Sequence, residues 1–306
     1  MTDLFLPGSE PGLLVAPLTP FTDDNRVDVT ALGRQIDDIV RWSRPQLIIA
    51  AGVEAQEYQY LDATDRRGLA ERTIELVDGR CPVAVGISHP GADAAARHAD
   101  LAAQTGASAV QLLAPQRPFG GQPTTGELVA YFSFVAERSP LPIVLYLNPG
   151  PGADVSVEAT IELARIPGIA AVKESSRNLS RVGLLITEID LSGLARYYTT
   201  MQMLLATLEL GGSGATMPAP VSEIAIQIIE AYQKGDHPEA ARLQRQFRRF
   251  PARWMGYGLA PVMKATMQCL GRDMGAPYPP FTPITGADLE ALRAEVTALG
   301  FSKGEH

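Results

Sequence analysis

Ile169-Ala170-Ala171-Val172-Lys173-Glu174-Ser175-Ser176 is a short apolar run that ends in a lysine and leads into two hydroxyl residues. One strand-plus-helix length earlier stands a second such run, Leu141-Pro142-Ile143-Val144-Leu145, which ends in Tyr146. Short β-rich runs between turn signals read as parallel strands buried on both faces. A lysine closing such a strand keeps its stem in apolar surroundings and its amine at the rim. There the neutral, carbonyl-attacking form is easier to reach. With a phenol closing the strand before it, the pair points to Schiff-base chemistry. The plain alternative is a solvated strand-end lysine beside a tyrosine that only packs.

Outward from this pair the pattern repeats. Strand-like runs occur at Leu13–Ala16, Leu47–Ala50, Val83–Ile87 and Ala109–Leu113, and two weaker ones follow at Ala195–Tyr198 and Gly214–Met217. Their mean spacing is about 29 residues, room for one strand, one helix and two short loops. Helical apolar spacing fills the gaps at Asp28–Trp42 (with a cap at Asp28 or Thr30), Asp65–Val77, Ala92–Ala103, Thr125–Ala136 and Ser156–Ala164. Eight such alternations favour a (β/α)8 barrel over an open doubly wound sheet, and no G-x-G-x-x-G follows the first strand. The spacing therefore predicts a barrel over 11–218. Over 219–306 it predicts a C-terminal helical extension, with helices at Val221–Tyr232, Pro238–Phe250, Arg253–Leu270 and Ala287–Ala298. Gly271–Pro283 reads as a surface connection.

Bulk properties limit the function. The 306 residues are 46% hydrophobic and 20% charged, as in a soluble globular protein. A net charge of −8 without a basic run argues against nucleic acid as partner. With only Cys81 and Cys269, no disulfide framework is implied, and a reducing cytoplasm is expected. The first residues lack a signal-peptide pattern, and no apolar run approaches about 18 residues, so no membrane span is expected. His89 and His98 stand apart and no His/Asp/Glu set has metal spacing, so neither metal nor cofactor is expected.

Barrel enzymes carry their chemistry at the C-terminal ends of the strands. Those ends supply Thr19, Glu54 to Glu57, Ser88-His89, Pro115 to Arg117, Tyr146, Lys173-Glu174, Thr199-Thr200 and Met217. Lys173 and Tyr146, on adjacent strands, are the candidate catalytic pair. With a 2-oxo acid the lysine would condense with the ketone. The protonated imine would then draw electrons from a C–C bond, or assist loss of a β-hydroxyl, while the tyrosine carries the proton.

Four segments carry a family resemblance. Leu18-Thr19-Pro20-Phe21 with Val27-Asp28 resembles a T-P-F … D motif. Tyr146-Leu147-Asn148-Pro149 resembles Y-N-x-P. Ala171-Val172-Lys173-Glu174-Ser175-Ser176 is similar to G-[VIL]-K-[ED]-[SA]-[ST], and Gly211-Gly212-Ser213-Gly214 to the glycine segment at an eighth strand. In this order they resemble the dihydrodipicolinate synthase / N-acetylneuraminate lyase family of class I aldolases, from about residue 11 to 300. The resemblance implies a (β/α)8 barrel with a C-terminal helical extension, usually a homotetramer. It also implies Lys173 as imine former, Tyr146 as proton donor or acceptor, and a 2-oxo acid as substrate.

The chain departs from that pattern in three places. Where the family's second strand ends in G-[TS]-T-G-E, this chain has Ala51-Gly52-Val53-Glu54-Ala55-Gln56-Glu57. Glu57 aligns with the motif's glutamate, and the hydroxyl pair falls on Glu54 and Ala55, or on Val53 and Glu54. Either way the pair is absent. In the family those hydroxyls bind the substrate carboxylate, so Glu54, Ala55 and Glu57 become the substrate-binding candidates here. A glutamate there repels an anion unless it is protonated or paired with a cation; otherwise it turns outward to a surface arginine. After the fourth strand, Pro115-Gln116-Arg117-Pro118-Phe119 replaces P-Y-Y, and Arg117 is either a carboxylate ligand or a solvated loop residue. The synthase arginine just past Y-N-x-P is missing from Pro149-Gly150-Pro151-Gly152-Ala153, against aspartate semialdehyde as substrate. Gly214 and Thr216 complete the binding candidates. The glycine segment has two readings, a phosphate cradle or a close-packed turn beside the imine. Lys264 reads as a surface or assembly residue. The expected function is a Schiff-base lyase, aldolase or dehydratase; the alternative is a silent barrel that binds a 2-oxo acid as a regulatory protein.

Overall fold

A computed structural model describes residues 3–53, 57–248 and 252–300. Among them eight strands close into a barrel in sequential order: β1 (Gly12–Ala16), β2 (Leu47–Ala50), β3 (Val83–Gly86), β4 (Ala109–Leu113), β5 (Ile143–Leu147), β6 (Ile169–Glu174), β7 (Arg196–Thr199) and β8 (Gly214–Pro218). The strand pairs from β3–β4 through β7–β8 are parallel. Every residue of β4, β5, β7 and β8 is buried, and β5 accordingly reads as an unbroken apolar run. The (β/α)8 expectation holds.

Helices follow the strands: α1 (Val29–Asp38), α2 (Ala63–Val77), α3 (Ala92–Gln104), α4 (Thr125–Ala136), α5 (Val157–Ala164), α6 (Leu179–Leu185) and α7 (Leu204–Glu209). Their starts are written in the sequence. Asp28 caps α1 by accepting from Ala31 N, Asp62 caps α2, and Ser156 caps α5. Thr124 and Glu127 form a reciprocal capping box on α4. Helices α6 and α7 carry too few turns to show a clear 3.6-residue pattern.

The chain divides into two compact units. One holds Pro82–Thr216 together with the first residues through Leu14. In it Arg196, at the start of β7, donates to the carbonyls of Leu6 (3.1 Å) and Ser9 (2.8 Å), tying the N-terminal segment down. Asp190 accepts from Tyr197 N (3.0 Å) and from Ser213 Oγ, fixing the loops before β7 and β8.

The other unit holds Val15–Cys81 and the chain from Met217 onward, with α8 (Ala219–Gln233), α9 (His237–Gln244), α10 (Leu259–Cys269) and α11 (Gly286–Leu299). Arg272 is buried between Glu223 (2.6 Å) and Asp38 (3.2 Å). The expected single helix from Arg253 to Leu270 is corrected. The chain makes 3-10 turns over Ala252–Tyr257, and α10 begins only after Gly258, whose φ of 93° breaks a right-handed helix.

Candidate active site

Tyr146 and Lys173 are register partners on β5 and β6, and Lys173 pairs in turn with Tyr198 on β7. Register partners in a parallel ladder point to one face of the sheet. All three side chains have 0% exposure, which corrects the reading of Lys173 as a solvated lysine. Lys173 Nζ lies 3.9 Å from the Tyr146 ring centroid and donates to Ser175 Oγ at 2.8 Å. Asn148 Nδ2 donates to Tyr146 Oη at 2.8 Å, which engages the phenol as an acceptor and leaves its proton to point elsewhere. Ser175 and Asn148 each stand two positions beyond the residue they touch, and a period of two keeps them on its face. That spacing was available in the sequence as a signal for both.

The next residue along β6 faces the other way. Glu174 accepts from Arg181 Nε and from Tyr197 OH, and Arg181 Nη2 donates to Val155 O at 2.7 Å. Burial, and after it the Glu174 charge, push the Tyr197 phenol well above its ordinary pKa, so it remains a neutral donor. This network pins the end of β6, and with it the backbone that carries Lys173.

A cavity of about 290 Å³ opens where β5 and β6 end. Asn148 and Ser175 line it, together with Asp154, Glu174, Arg177 and Arg181.

The remaining candidates are scattered. Glu54 and Ala55 lie outside the described residues. Glu57 belongs to the other unit, where Oε2 pairs with Lys264 Nζ at 2.8 Å and Oε1 accepts from Tyr278 N at 2.8 Å. Lys264 is thus a buried ion-pair partner with 3% side-chain exposure, not a surface residue. Burial pulls its ammonium below the ordinary lysine pKa, while Glu57 acts to raise it. Arg117 reaches its own loop: it pairs with Glu127 and donates to Gly120 O at 3.2 Å, and it touches neither Lys173 nor Tyr146.

Gly214 has φ of 125°, and a Cβ there would fall 2.0 Å from Gly12 O. The N–H groups of Gly211, Gly212 and Ser213 donate to the carbonyls of Leu208, Thr207 and Tyr197. The glycine segment is therefore a close-packed turn, and these donors are not open to a phosphate. Thr216 lies on β8 two residues past Gly214, which pairs with Tyr198, so it shares the Lys173 face. Its Oγ1 is buried without a partner among the described residues.

Gln111 on β4 was not singled out in the sequence. It lies two residues before Leu113, the register partner of Tyr146, hence on the same face and one row deeper. It is 1% exposed, neither amide atom has a partner among the described residues, and its β3 neighbour is Gly86, which has no side chain.

Comparisons with known proteins bear on the family and the fold. A family model described as the dihydrodipicolinate synthetase family matches residues 10–299. The 4-hydroxy-tetrahydrodipicolinate synthase of Enterococcus faecalis is 31% identical over 268 residues, covering 86% of this chain and 90% of its own. Among solved structures, a prophage protein of the dihydrodipicolinic acid synthase family from E. coli K12, in complex with pyruvate, superposes with a TM-score of 0.86 at 23% identity, covering 95% of this chain and 98% of its own. N-acetylneuraminate lyase from Mycoplasma synoviae does so with a TM-score of 0.81 at 19% identity, covering 98% and 99%. At these identities the two structures are alike in fold.

Proposed function

The chain belongs to the dihydrodipicolinate synthetase family, and from that premise we propose that it is a lyase that captures a 2-oxo acid as a Schiff base on Lys173. The observation that carries the reading is the pairing of a fully buried lysine amine with a fully buried phenol, in register on adjacent strands, 3.9 Å from amine to ring. A binding protein gains nothing from that combination; imine chemistry uses both groups.

In the proposed cycle the neutral Lys173 amine attacks the C2 ketone, and the carbinolamine loses water to give a protonated imine. The imine nitrogen then accepts the electron pair released when the C3–C4 bond breaks, leaving an enamine on Lys173. The C4 hydroxyl becomes a carbonyl and gives its proton to the Tyr146 phenolate, whose own proton left with the water lost from the carbinolamine. Protonation at C3 and hydrolysis free the product and restore the amine. Aldol addition runs these steps in reverse, and dehydration uses the same electron sink with hydroxide departing as water. Ser175 and Asn148 hold the amine and the phenol between turnovers. The missing arginine in Pro149–Ala153 and the altered segment Val53–Glu57 support a reaction other than formation of dihydrodipicolinate.

Borohydride reduction in the presence of pyruvate, followed by peptide mapping, tests the assignment. The expected adduct sits on Lys173 and disappears in Lys173→Ala. No adduct with any of a broad panel of 2-oxo acids, or an adduct on another lysine such as Lys264, would refute it.

A further inference from the structure

The cavity at the ends of β5 and β6 is built from the partners of the two reacting groups. Asn148 and Ser175 form part of its wall, and they are the side chains hydrogen-bonded to Tyr146 Oη and Lys173 Nζ. A molecule in this cavity is one side chain away from the proposed imine.

Four charged residues ring the cavity: Asp154, Glu174, Arg177 and Arg181. Two of them cancel. Arg181 gives Nε to Glu174 and Nη2 to Val155 O, while the second Glu174 oxygen takes the Tyr197 hydroxyl. Their side chains are 21% and 4% exposed, so this wall is fixed and neutral overall. Arg177, from the loop after β6, and Asp154, from the loop after β5, are exposed. Among the described residues no ion pair or hydrogen bond engages the side chain of either one, while Asp154 N donates to Gln122 Oε1 at 3.0 Å.

Resting on the Schiff-base reading, we propose that this cavity takes the far end of the substrate and that Arg177 reads a second carboxylate there. The substrate class is then a dicarboxylic 2-oxo acid. A guanidinium presents two parallel N–H donors that match the two oxygens of a carboxylate. A terminal phosphate fits less well. It would bring about −1.5 to −2 of charge to a rim that holds the Asp154 carboxylate beside one arginine without an ion pair. A carboxylate brings one charge and finds one cation. Arg177 is thus a specificity residue: it acts on the end of the substrate that does not react.

The test is borohydride trapping over a concentration series with 2-oxoglutarate and with 2-oxopentanoate, which has the same chain but a methyl group where the far carboxylate stands. Trapping is read as adduct mass on Lys173 in wild type, Arg177→Gln and Arg177→Lys. Wild type is expected to half-saturate with the diacid at a concentration about tenfold or more below that for the monoacid. Arg177→Gln should erase this preference, leave the monoacid curve in place, and be rescued in part by Arg177→Lys. A wild type that shows no preference, or an Arg177→Gln variant that keeps it, would overturn the assignment of Arg177 while leaving Lys173 as the imine former. Absence of an adduct with both acids would instead overturn the Schiff-base reading, and this inference with it.

Discussion

Replacing Lys264 by methionine removes an ammonium that lies 2.8 Å from Glu57 Oε2, donates to Ala276 O at 2.8 Å and faces the Phe21 ring at 4.3 Å. Both members of the pair are almost fully buried, with side-chain exposures of 3% and 4%. Methionine nearly preserves volume, so the perturbation is electrical rather than a cavity. The Glu57 carboxylate stays buried with Tyr278 N as its described donor, and Ala276 O loses the Lys264 donor. Removing one member of such a pair costs about 3–5 kcal/mol, because the survivor's charge is left uncompensated. For a chain of this size that lowers Tm by about 5–8 °C.

Changing both residues, Glu57→Leu with Lys264→Met, removes the stranded charge and should cost only about 1–3 kcal/mol, chiefly for the Tyr278 N–H left without its acceptor. The double variant is then more stable than Lys264→Met alone, which no additive scheme allows. The pH dependence adds an independent sign. Burial lowers the Lys264 pKa in the folded state and Glu57 raises it. Glu57→Gln removes the raising influence, so the folded value falls further below the unfolded one. Between the two values the unfolded chain binds more protons than the folded chain, so stability climbs with pH through that window. Relative to wild type, Glu57→Gln should therefore regain stability as pH rises toward the ordinary lysine pKa. Urea denaturation followed by circular dichroism reads both effects. A Lys264→Met variant within about 1 kcal/mol of wild type, or a double variant as unstable as the two single changes summed, would sink the reasoning.

Tyr146→Phe is expected to leave borohydride trapping on Lys173 intact and to slow turnover by about 10²–10⁴-fold; an unchanged rate removes Tyr146 from the proton path. Gly214→Ala forces a Cβ to 2.0 Å from Gly12 O at a φ of 125°, and should cost about 3 kcal/mol or more or abolish folding, read by thermal melting. Gln111→Leu replaces a buried amide whose two polar atoms have no partner, and should raise stability by about 1–3 kcal/mol; a drop would mean the amide is bonded in solution, for example by buried water.

The fold was legible because burial on both faces of a strand and the recurrence of strand and helix are both one-dimensional signals. Ile143–Leu145 and Ala171–Val172 could be read as strand interiors without any knowledge of their neighbours. That the strands carrying Tyr146 and Lys173 are neighbours followed from strand order; that the two residues are register partners did not, because the β5–β6 pairing shifts register between Ile143 and Val144. What escaped the sequence depends on side chains that meet across long separations. Glu57 and Lys264 look like ordinary helix and loop charges until the fold brings them to 2.8 Å. The same holds for Arg272 between Asp38 and Glu223. Arg117 failed differently. Its type and address suited a carboxylate ligand, but the first turn of α4 supplies Glu127, ten residues on, as a nearer anion.

The two faces of β6 explain why this strand tolerates a lysine in its buried interior. A buried amine without fixed surroundings would swing toward solvent or pull the strand end apart, because desolvating its charge is costly. Here the backbone at Lys173 has little freedom. The adjacent Glu174 is held from α6 by Arg181 and from β7 by Tyr197, so the strand end is clamped by the face that does no chemistry. The chemical face can then keep its polar groups on exchangeable partners: the Lys173 amine donates to the Ser175 hydroxyl and the Tyr146 phenol accepts from the Asn148 amide, each a hydrogen bond of about 1 kcal/mol. A rigid outer network and a lightly bonded inner pair are what imine formation requires, because the amine must leave its resting partner without moving the backbone that aims it. On this argument the glutamate after the lysine is as much a requirement of the chemistry as the lysine, although it never meets the substrate's reacting carbon.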